Sequence, residues 1–544
     1  MPAAEGGAMT MLTKRSSIAL AMIVSLVLGA CGSDNDTTSP DTSGSAAAGV
    51  EVDKMVWGIQ SPPASMDIAK AGDVPTQRVQ TAAFDRLLIT DDTGAVQPWI
   101  ATKFENPDPL TWVFTIRDDV KFWDGTPLTS EDVAYSIARH TGDSTSIQAH
   151  LFELVTDVKA TDSTTVTVTL SAADLSLLAN LALYAQIHQK RYDEEAGDAL
   201  GGPDKPGMGT GPYSITSFSS ADGATLTRND AYWAGRPKVK TLEFKAISDP
   251  DTARLAMSSG EIDGFFDVPL IATRQWDQLG NATMTYVQGA YNDMLSMDTT
   301  RAPFDDVNVR VAMAHLIDRD ALLGPLFNGR ASTAFTIVPA IQFTSSLGDD
   351  GAKQFYGDLT PFPEFSIDKA KEALAKSASP DGFTVDLPVD TTQPWMSPLA
   401  QNLAENAKQL GITINVKQVS SADWGAGLTD PSASPLQLVA LGAGTSWPNE
   451  LTGIMFGTNG GFNTARYGNA ALDALMDKAN AASTLDDLMP PLTDALKMAS
   501  DDLPYLPLFD EQVAIAISDE FVWEGGYSYW SLGQAWPLRL GGAG

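Results

Sequence analysis

Apolar and polar positions alternate in short runs punctuated by turn residues along most of the chain. Trp112, Phe114 and Ile116 alternate with Val113, Thr115 and Arg117, the period-two pattern of a strand. Phe122 and Trp123 then lead into an Asp124-Gly125 turn. Val166, Val168 and Leu170, separated by threonines, predict another strand. Thr129-Ser130-Glu131-Asp132 opens a helix, because hydroxyl oxygens cap its orphan N–H groups and acids suit the positive end of its dipole. Val309, Ala312, Met313, Leu316 and Ile317 fall at helical spacing. They predict one stripe on a core, with Arg310, Asp318 and Arg319 outside it and His315 at a surface or core edge. Ser366 to Lys376 and Pro398 to Leu410 predict two more helices. The second passes through Gly411 into the strand Ile412 to Val416, a step typical of α/β packing. Gly207-Met208-Gly209-Thr210-Gly211 runs into Pro212-Tyr213 and so predicts a turn into a strand, not a helix N-terminus that cradles phosphate.

The N-terminus has a different pattern. Lys14 and Arg15 precede the apolar run Ile18–Leu28, which is too short for a membrane span of roughly 20 residues but suits a signal-peptide core. The run ends in Leu28-Gly29-Ala30-Cys31, which resembles a bacterial lipobox. That resemblance implies a signal peptide over 1–30 and lipidation of Cys31. Gly32 to Val50 is small, polar and acidic with no apolar period, so 31–51 is expected to be a disordered tether. No second run of about 20 apolar residues follows, so the body is expected to work outside the cytoplasmic membrane, held to its outer face in the cell envelope by lipid alone.

Composition narrows the classes. A chain of 544 residues exceeds what one core usually supports, so at least two lobes are expected. With 43% apolar and 19% charged residues it is a folded globular chain. A net charge of -33 argues against a nucleic-acid partner, which calls for a basic stripe. One cysteine rules out an intrachain disulfide framework and a cysteine-rich zinc site. There is no G-x-S-x-G elbow, no P-loop and no H-E-x-x-H, and the four histidines (His140, His150, His188, His315) are scattered. Acid pairs such as Asp118-Asp119 and Asp305-Asp306 are ordinary among 68 acids. No enzyme activity, cofactor or metal is expected.

Several segments taken in order resemble the extracytoplasmic solute-binding proteins of ABC importers, the peptide/nickel-type family 5. The densest block holds Phe84-Asp85-Arg86-Leu87-Leu88, Gly94, Pro98-Trp99-Ile100-Ala101, Thr111 to Arg117, Val120 to Gly125 and Thr129 to Val133. Further on come Gly209 to Tyr213, Arg228-Asn229 with Tyr232-Trp233, Gly260 to Asp263, Pro303 to Asp306 with Val309-Arg310, and Ile317-Asp318-Arg319. The resemblance implies an α/β, two-lobe periplasmic-binding-protein fold with an additional domain (type II, cluster C-like). Lobe I would be discontinuous over 52–83, 201–290 and 510–544, the extra domain would cover 84–200, and lobe II 291–509. Binding would be hinge closure on a solute, followed by delivery to a membrane permease with its ATPase.

The resemblance also implies where solute is met. Dipeptide binders of this family hold the peptide ammonium with an acid and its carboxylate with an Arg. In the segment similar to the Arg-bearing one, Gln393 stands in place of Arg and Trp395 in place of Tyr. In the segment similar to the acid-bearing one, Trp447, Asn449 and Glu450 occur and Asp is absent, with Glu450 a substitute under a shifted register. A free dipeptide is therefore a poor candidate. A longer or modified peptide, or an oligosaccharide stacked on Trp395, Trp424 and Trp447 near Gln393 and Asn449, are the two expectations. Burial of each indole in a core is the alternative reading. Ser61 and Pro62, in the first loop, would touch solute through their backbone. Nickel is disfavoured by the scarcity of His and Cys. Readings outside the transporter class are a ligand-sensing scaffold and a secreted hydrolase.

Overall fold

The computed structural model describes residues 49–544 apart from 143, 360, 431, 459 and 483 and the side chain of 532. The expected signal peptide, Cys31 and the tether up to 48 lie outside the described residues. The last residues assigned to the tether join the fold instead. Val50 exchanges backbone hydrogen bonds with Gly542, and Glu51 takes the Arg236 guanidinium at 2.9 Å. Paired backbone and an ion pair hold the chain here, where composition alone suggests disorder.

Thr129 caps the helix Ser130–Ala138: its hydroxyl accepts from the Asp132 N–H at 3.2 Å, and the Asp132 carboxylate accepts from the Thr129 N–H at 3.0 Å. This reciprocal box satisfies two orphan donors. The strands Thr111–Ile116 and Thr165–Leu170 pair antiparallel in a four-stranded sheet completed by Ala101–Asp108 and Val155–Asp162. Their buried faces, with the helix Leu177–Tyr184, enclose a core of their own that draws on residues from Leu87 to Ile187.

The helix expected around Val309 spans Val307–Ala314, shorter than its apolar stripe suggests. Leu316 and Ile317 are buried beyond its end, and Asp318 caps the next helix, Arg319–Phe327. Arg310, expected outside, is buried. Its guanidinium donates to the carbonyls of Asp502 at 2.7 Å and Phe304 at 2.6 Å, and these acceptors make burial of the cation tolerable. The helices expected from Ser366 and Pro398 are Ile367–Leu374 and Met396–Lys408, and the strand after Gly411 is Thr413–Val419.

A nine-stranded sheet organises the rest. Val52–Ile59 lies between Val239–Ala246 and Gly264–Phe265, both parallel to it. Gly223–Arg228 and Tyr213–Ser219 extend one side. Tyr505–Ser518, Ala282–Met297 and Leu436–Gly442 extend the other, and Ala331–Thr333 pairs onto Tyr505–Ser518 as a branch. The glycine-rich run does lead into the strand Tyr213–Ser219. A Cβ on Gly211 would lie 2.2 Å from the Ala83 carbonyl oxygen, so Gly211→Ala must displace backbone. It is expected to cost about 1–3 kcal/mol, the range for forced overpacking, read as a lower urea midpoint.

The two longest strands, of 16 and 14 residues, cross between halves of this sheet. Ala282–Gln288 pairs with residues 512–518, and Tyr291–Ser296 with 505–511. Between them the register shifts, leaving Gly289 and Ala290 as a bulge, which bends and twists a strand locally. A Cβ on Gly289 would sit 2.7 Å from the Glu511 carbonyl oxygen, so this crossing requires glycine. On one side of the bulge Trp57, Phe244, Phe266 and Trp536 form a core. A second cluster runs across the bulge, joining Phe265, Trp276 and Ala516 to Leu295, Met297, Leu399 and Leu403, and a third beyond it gathers Met294, Leu451, Leu492 and Tyr505.

Candidate functional site

Because Val52–Ile59 is parallel to both neighbours, the loop that follows it sits at the carboxyl ends of three parallel strands, where open α/β sheets gather ligands. Gln60, Ser61 and Pro62 occupy this loop, Ser61 and Pro62 half-buried. Gln60 donates through Nε2 to the Asp267 carbonyl at 2.7 Å, in the loop after Gly264–Phe265. Asp267 has φ 56°, an αL conformation that Asp tolerates better than most residues. Arg78, on the helix Val74–Ala83, reaches the same point. Its guanidinium donates to the Tyr527 hydroxyl at 2.9 Å and to Asp267 Oδ1 at 3.4 Å, and lies 4.4 Å from the centre of the Phe266 ring. Tyr527 and Asp267 hold the Arg78 charge above its ordinary range despite burial. Its positive charge is committed within the protein.

Opposite it, the loop Ala443–Asn449 leaves the strand Leu436–Gly442 and ends at the helix Glu450–Phe456. Glu450 folds back on this loop. Its carboxylate accepts from the N–H groups of Gly444 and Thr445, both at 2.9 Å, from Thr445 Oγ1 at 2.6 Å, and from Gln342 Nε2 at 3.3 Å. Burial raises its carboxyl above the usual range, against the pull of those donors. Gln342 also donates to the Thr445 and Trp447 carbonyls, fixing the loop from behind. Glu450 thus acts on its own loop.

Three tyrosines from distant segments meet that loop. Tyr529 donates to the Ala443 carbonyl at 3.0 Å and lies edge-to-face with Tyr291, centroids 6.0 Å apart. Tyr291 lies so close to Gly442 that a Cβ there would be 2.7 Å from its ring. A Cβ on Gly444 would be 3.1 Å from the Tyr184 hydroxyl. The hydroxyls of Tyr184 and Tyr291, the Trp447 indole N–H and the Gln393 amide make no hydrogen bond among the described residues.

Of the residues singled out from sequence, Trp447, Asn449 and Glu450 share the loop just described, and Ser61 and Pro62 share the loop beside Asp267. Asn449 donates to Asn480 Oδ1 at 3.3 Å. Gln393 follows the strand Thr384–Asp390 and is half-buried. Trp395 is 3% exposed and packs in the core with Met396 and Leu399. Trp424, on the helix Ser421–Thr429, donates to the Leu438 carbonyl at 3.0 Å and walls a separate cavity of about 260 Å³ with Pro388, Val419 and Leu428. The three indoles therefore do not share one surface: tertiary packing takes up Trp395. Arg78, Tyr184, Tyr291 and Tyr529 were not singled out. Only the run Tyr527-Ser528-Tyr529-Trp530, three aromatics in four residues, is a local signal for any of them.

Tyr527 and Tyr529, two residues apart, link the two loops by bonding Arg78 and the Ala443 carbonyl, so hydrogen-bonding groups and aromatic faces gather between these segments. Among the described residues no group of three or more His, Cys, Asp or Glu side chains could hold a metal ion, and no helix is long and apolar enough to cross a membrane.

The model of bacterial extracellular solute-binding proteins, family 5, matches residues 95–463. The glutathione-binding protein GsiB of Escherichia coli is 25% identical over 491 residues, covering 84% of this chain and 88% of that one. The oligopeptide-binding protein AppA of Bacillus subtilis, solved with a nonapeptide, superposes with a TM-score of 0.74 at 20% identity, over 91% of this chain and all of that one. A dipeptide-binding protein of a Pseudoalteromonas species, solved with Met-Leu, superposes with a TM-score of 0.75 at 19% identity, over 90% and 100%. These likenesses show the two-lobe fold of type II periplasmic binding proteins with its additional domain. The chain belongs to the bacterial extracellular solute-binding proteins of family 5, the solute-capturing components of ABC importers.

Proposed function

We propose that this chain captures a peptide-like solute without free charged ends at the binding loops, by closing two lobes on it, and passes it to a membrane permease. The observation that carries this reading is a contrast in how polar groups are used. Asp267 and Glu450 on the two loops, and Arg78 on the adjoining helix, are bonded within the protein. Tyr184, Tyr291 and Trp447, whose side chains make no hydrogen bond among the described residues, are neutral. Such a site suits amides, and a buried ammonium or carboxylate would lack a partner in it. That GsiB binds glutathione and AppA was solved with a nonapeptide fits a peptide-like solute.

Lobe I is proposed as 52–83, 201–290 and 510–544, the extra domain as 84–200 and lobe II as 291–509. Cys31 is proposed as the lipidated residue that holds the chain at the outer face of the cytoplasmic membrane. The oligosaccharide reading is weaker because its three indoles do not line one surface. The role proposed is binding without turnover.

Ligand that binds only the folded state raises its stability saturably. Peptides of three or more residues with acetylated and amidated ends are expected to raise the melting temperature of the purified chain. Free dipeptides should bind at least about tenfold more weakly, the cost of about 1.4 kcal/mol of unpaired charge. Mass spectrometry of solute carried through gentle purification gives the identity directly. Tight binding of an unmodified dipeptide, or no stabilisation by any peptide, would sink this reading.

A further inference from the structure

The crossing of the two longest strands holds three carboxyl groups. Asp293 lies on Ala282–Met297, and Asp510 and Glu511 on Tyr505–Ser518. In the register Tyr291 is opposite Glu511 and Asn292 opposite Asp510, immediately past the Gly289–Ala290 bulge. Asp293 is 1% exposed and Asp510 2%. Asp293 and Glu511, the latter half-buried, sit diagonally across the strand pair on one face, with their carboxyls within reach of each other. Two like charges so placed repel, and a proton on one carboxyl relieves that repulsion. Asp293 Oδ2 and Asn292 Oδ1 are buried acceptors with no partner among the described residues, so this crossing is short of donors.

Among the described residues, the surrounding elements supply no balancing charge. On Leu436–Gly442 the residues opposite 291–293 are Gly442, Leu441 and Ala440. On Ala331–Thr333 they are Ala331 and Ser332, opposite Glu511 and Asp510. The helix Ala340–Asp358 presents Tyr356 toward Asp510 and gives it the Ala340 N–H. The nearby arginines are engaged elsewhere. Arg78 binds Asp267 and Tyr527, Arg319 donates to the Ala334 and Pro507 carbonyls, and Arg330 lies over the Tyr286 ring and pairs with Asp277. The charges acting on Asp293 are those of Glu511 and Asp510, both negative.

We infer that the Asp293–Glu511 pair is a proton-operated latch on the hinge: the closed arrangement keeps one shared proton, and its loss favours an arrangement in which the crossing strands are hydrated and the lobes apart. Closing therefore takes up a proton, and solute is held more tightly in acid than in alkali. Burial, then the charges of Glu511 and Asp510, raises Asp293 well above the carboxylate range; burial raises Asp510 to about 7, and raises Glu511 against the pull of its contact with Asp293. The inference rests on the hinge closure proposed above but not on the nature of the solute.

The test needs no solute. In the full chain with Cys31→Ser, spin labels at Asp53→Cys and Lys353→Cys, both highly exposed and on opposite sides of the bulge, report the separation of the halves. Between pH 5 and 8.5 the population with the longer distance should grow, by up to about tenfold per pH unit, the ceiling for one proton. Asp293→Asn, whose amide can donate to Glu511 at any pH, should flatten the response, and Glu511→Gln should do the same. Distances that do not change with pH in the unaltered hinge overturn the inference whatever the variants do. So does a pH response that survives both substitutions. Failure of every peptide to bind would leave this measurement intact and count only against the solute reading.

Discussion

Asp85→Ala is expected to lower the unfolding free energy by upwards of about 4 kcal/mol, summing the usual penalty for several buried donors left without an acceptor. Asp85 is 4% exposed and accepts four hydrogen bonds. Trp99 Nε1 at 2.9 Å and the Tyr232 hydroxyl at 2.5 Å reach Oδ1; the Thr210 hydroxyl at 2.9 Å and Trp233 Nε1 at 3.0 Å reach Oδ2. The carboxylate also balances Arg86, buried beside it. Among the described residues that guanidinium has one bond, to the Gln534 carbonyl at 2.7 Å, and burial draws it down to about 10 while Asp85 opposes the fall. Alanine would strand all four donors and the cation. Asp85→Asn keeps one acceptor oxygen and should lose about half as much, roughly 2 kcal/mol on the same accounting. Urea unfolding followed by tryptophan fluorescence reads both changes. An alanine variant with a wild-type midpoint would show that these donors find water or other acceptors.

The same hub shows why parts of the molecule were legible and parts were not. Strands such as Thr111–Ile116 and the capped helix at Thr129 follow from residues within a few positions of one another, so periodicity and capping reveal them. The motifs around Asp85, Trp99, Thr210 and Trp233 are visible as a family signature, but their common purpose is not. Thr210, Tyr232 and Trp233 lie 125 to 148 positions from the carboxylate they bind. The loop Ala443–Asn449 could be singled out in sequence, yet the role of Glu450 depended on Gln342, whose amide arrives from another helix. Arg310 fails the helical-stripe argument because its burial is licensed by two carbonyls that the stripe does not contain. Trp395 and Trp424 look alike as exposed-site candidates, and only packing separates the buried one from the cavity wall. Tyr184, Tyr291 and Tyr529 converge from three segments, a coincidence that no local pattern encodes.

Arg139→Met is expected to cost about 3 kcal/mol at pH 7, the low end for breaking a buried ion pair, because it strands the Asp67 carboxylate. Arg139 Nη2 lies 2.6 Å from both oxygens of Asp67, and Nη1 3.8 Å from Asp193. Asp67 and Asp193 are almost wholly buried, and Asp193 also meets His188 Nδ1 at 3.2 Å. His188 stacks on Phe84, so the network ties the Ser130–Ala138 helix end to the segments on either side of the Val74–Ala83 helix. Acid supplies a second readout. Burial, then the Arg139 charge, pushes His140 down from 6.5 to about 4, so the folded state keeps this ring neutral where the unfolded chain protonates it. The unfolded state then binds more protons, and stability falls as pH drops from about 6.5 to 4, by about 3 kcal/mol at 1.36 kcal/mol per unit. Asp67 acts lower on the scale. Burial raises it but Arg139 more than compensates, so its contribution is present above 3.8 and is lost below it. Without Arg139 the two trends change together. His140 loses a repelling neighbour, and Asp67, now an unpaired buried carboxylate, is stabilised by protonation as pH falls. The variant should be weaker than wild type at pH 7 and show a flatter decline toward pH 5. A variant whose urea midpoints run parallel to wild type across that range would mean that Arg139 acts through packing of its stem and not through its charge.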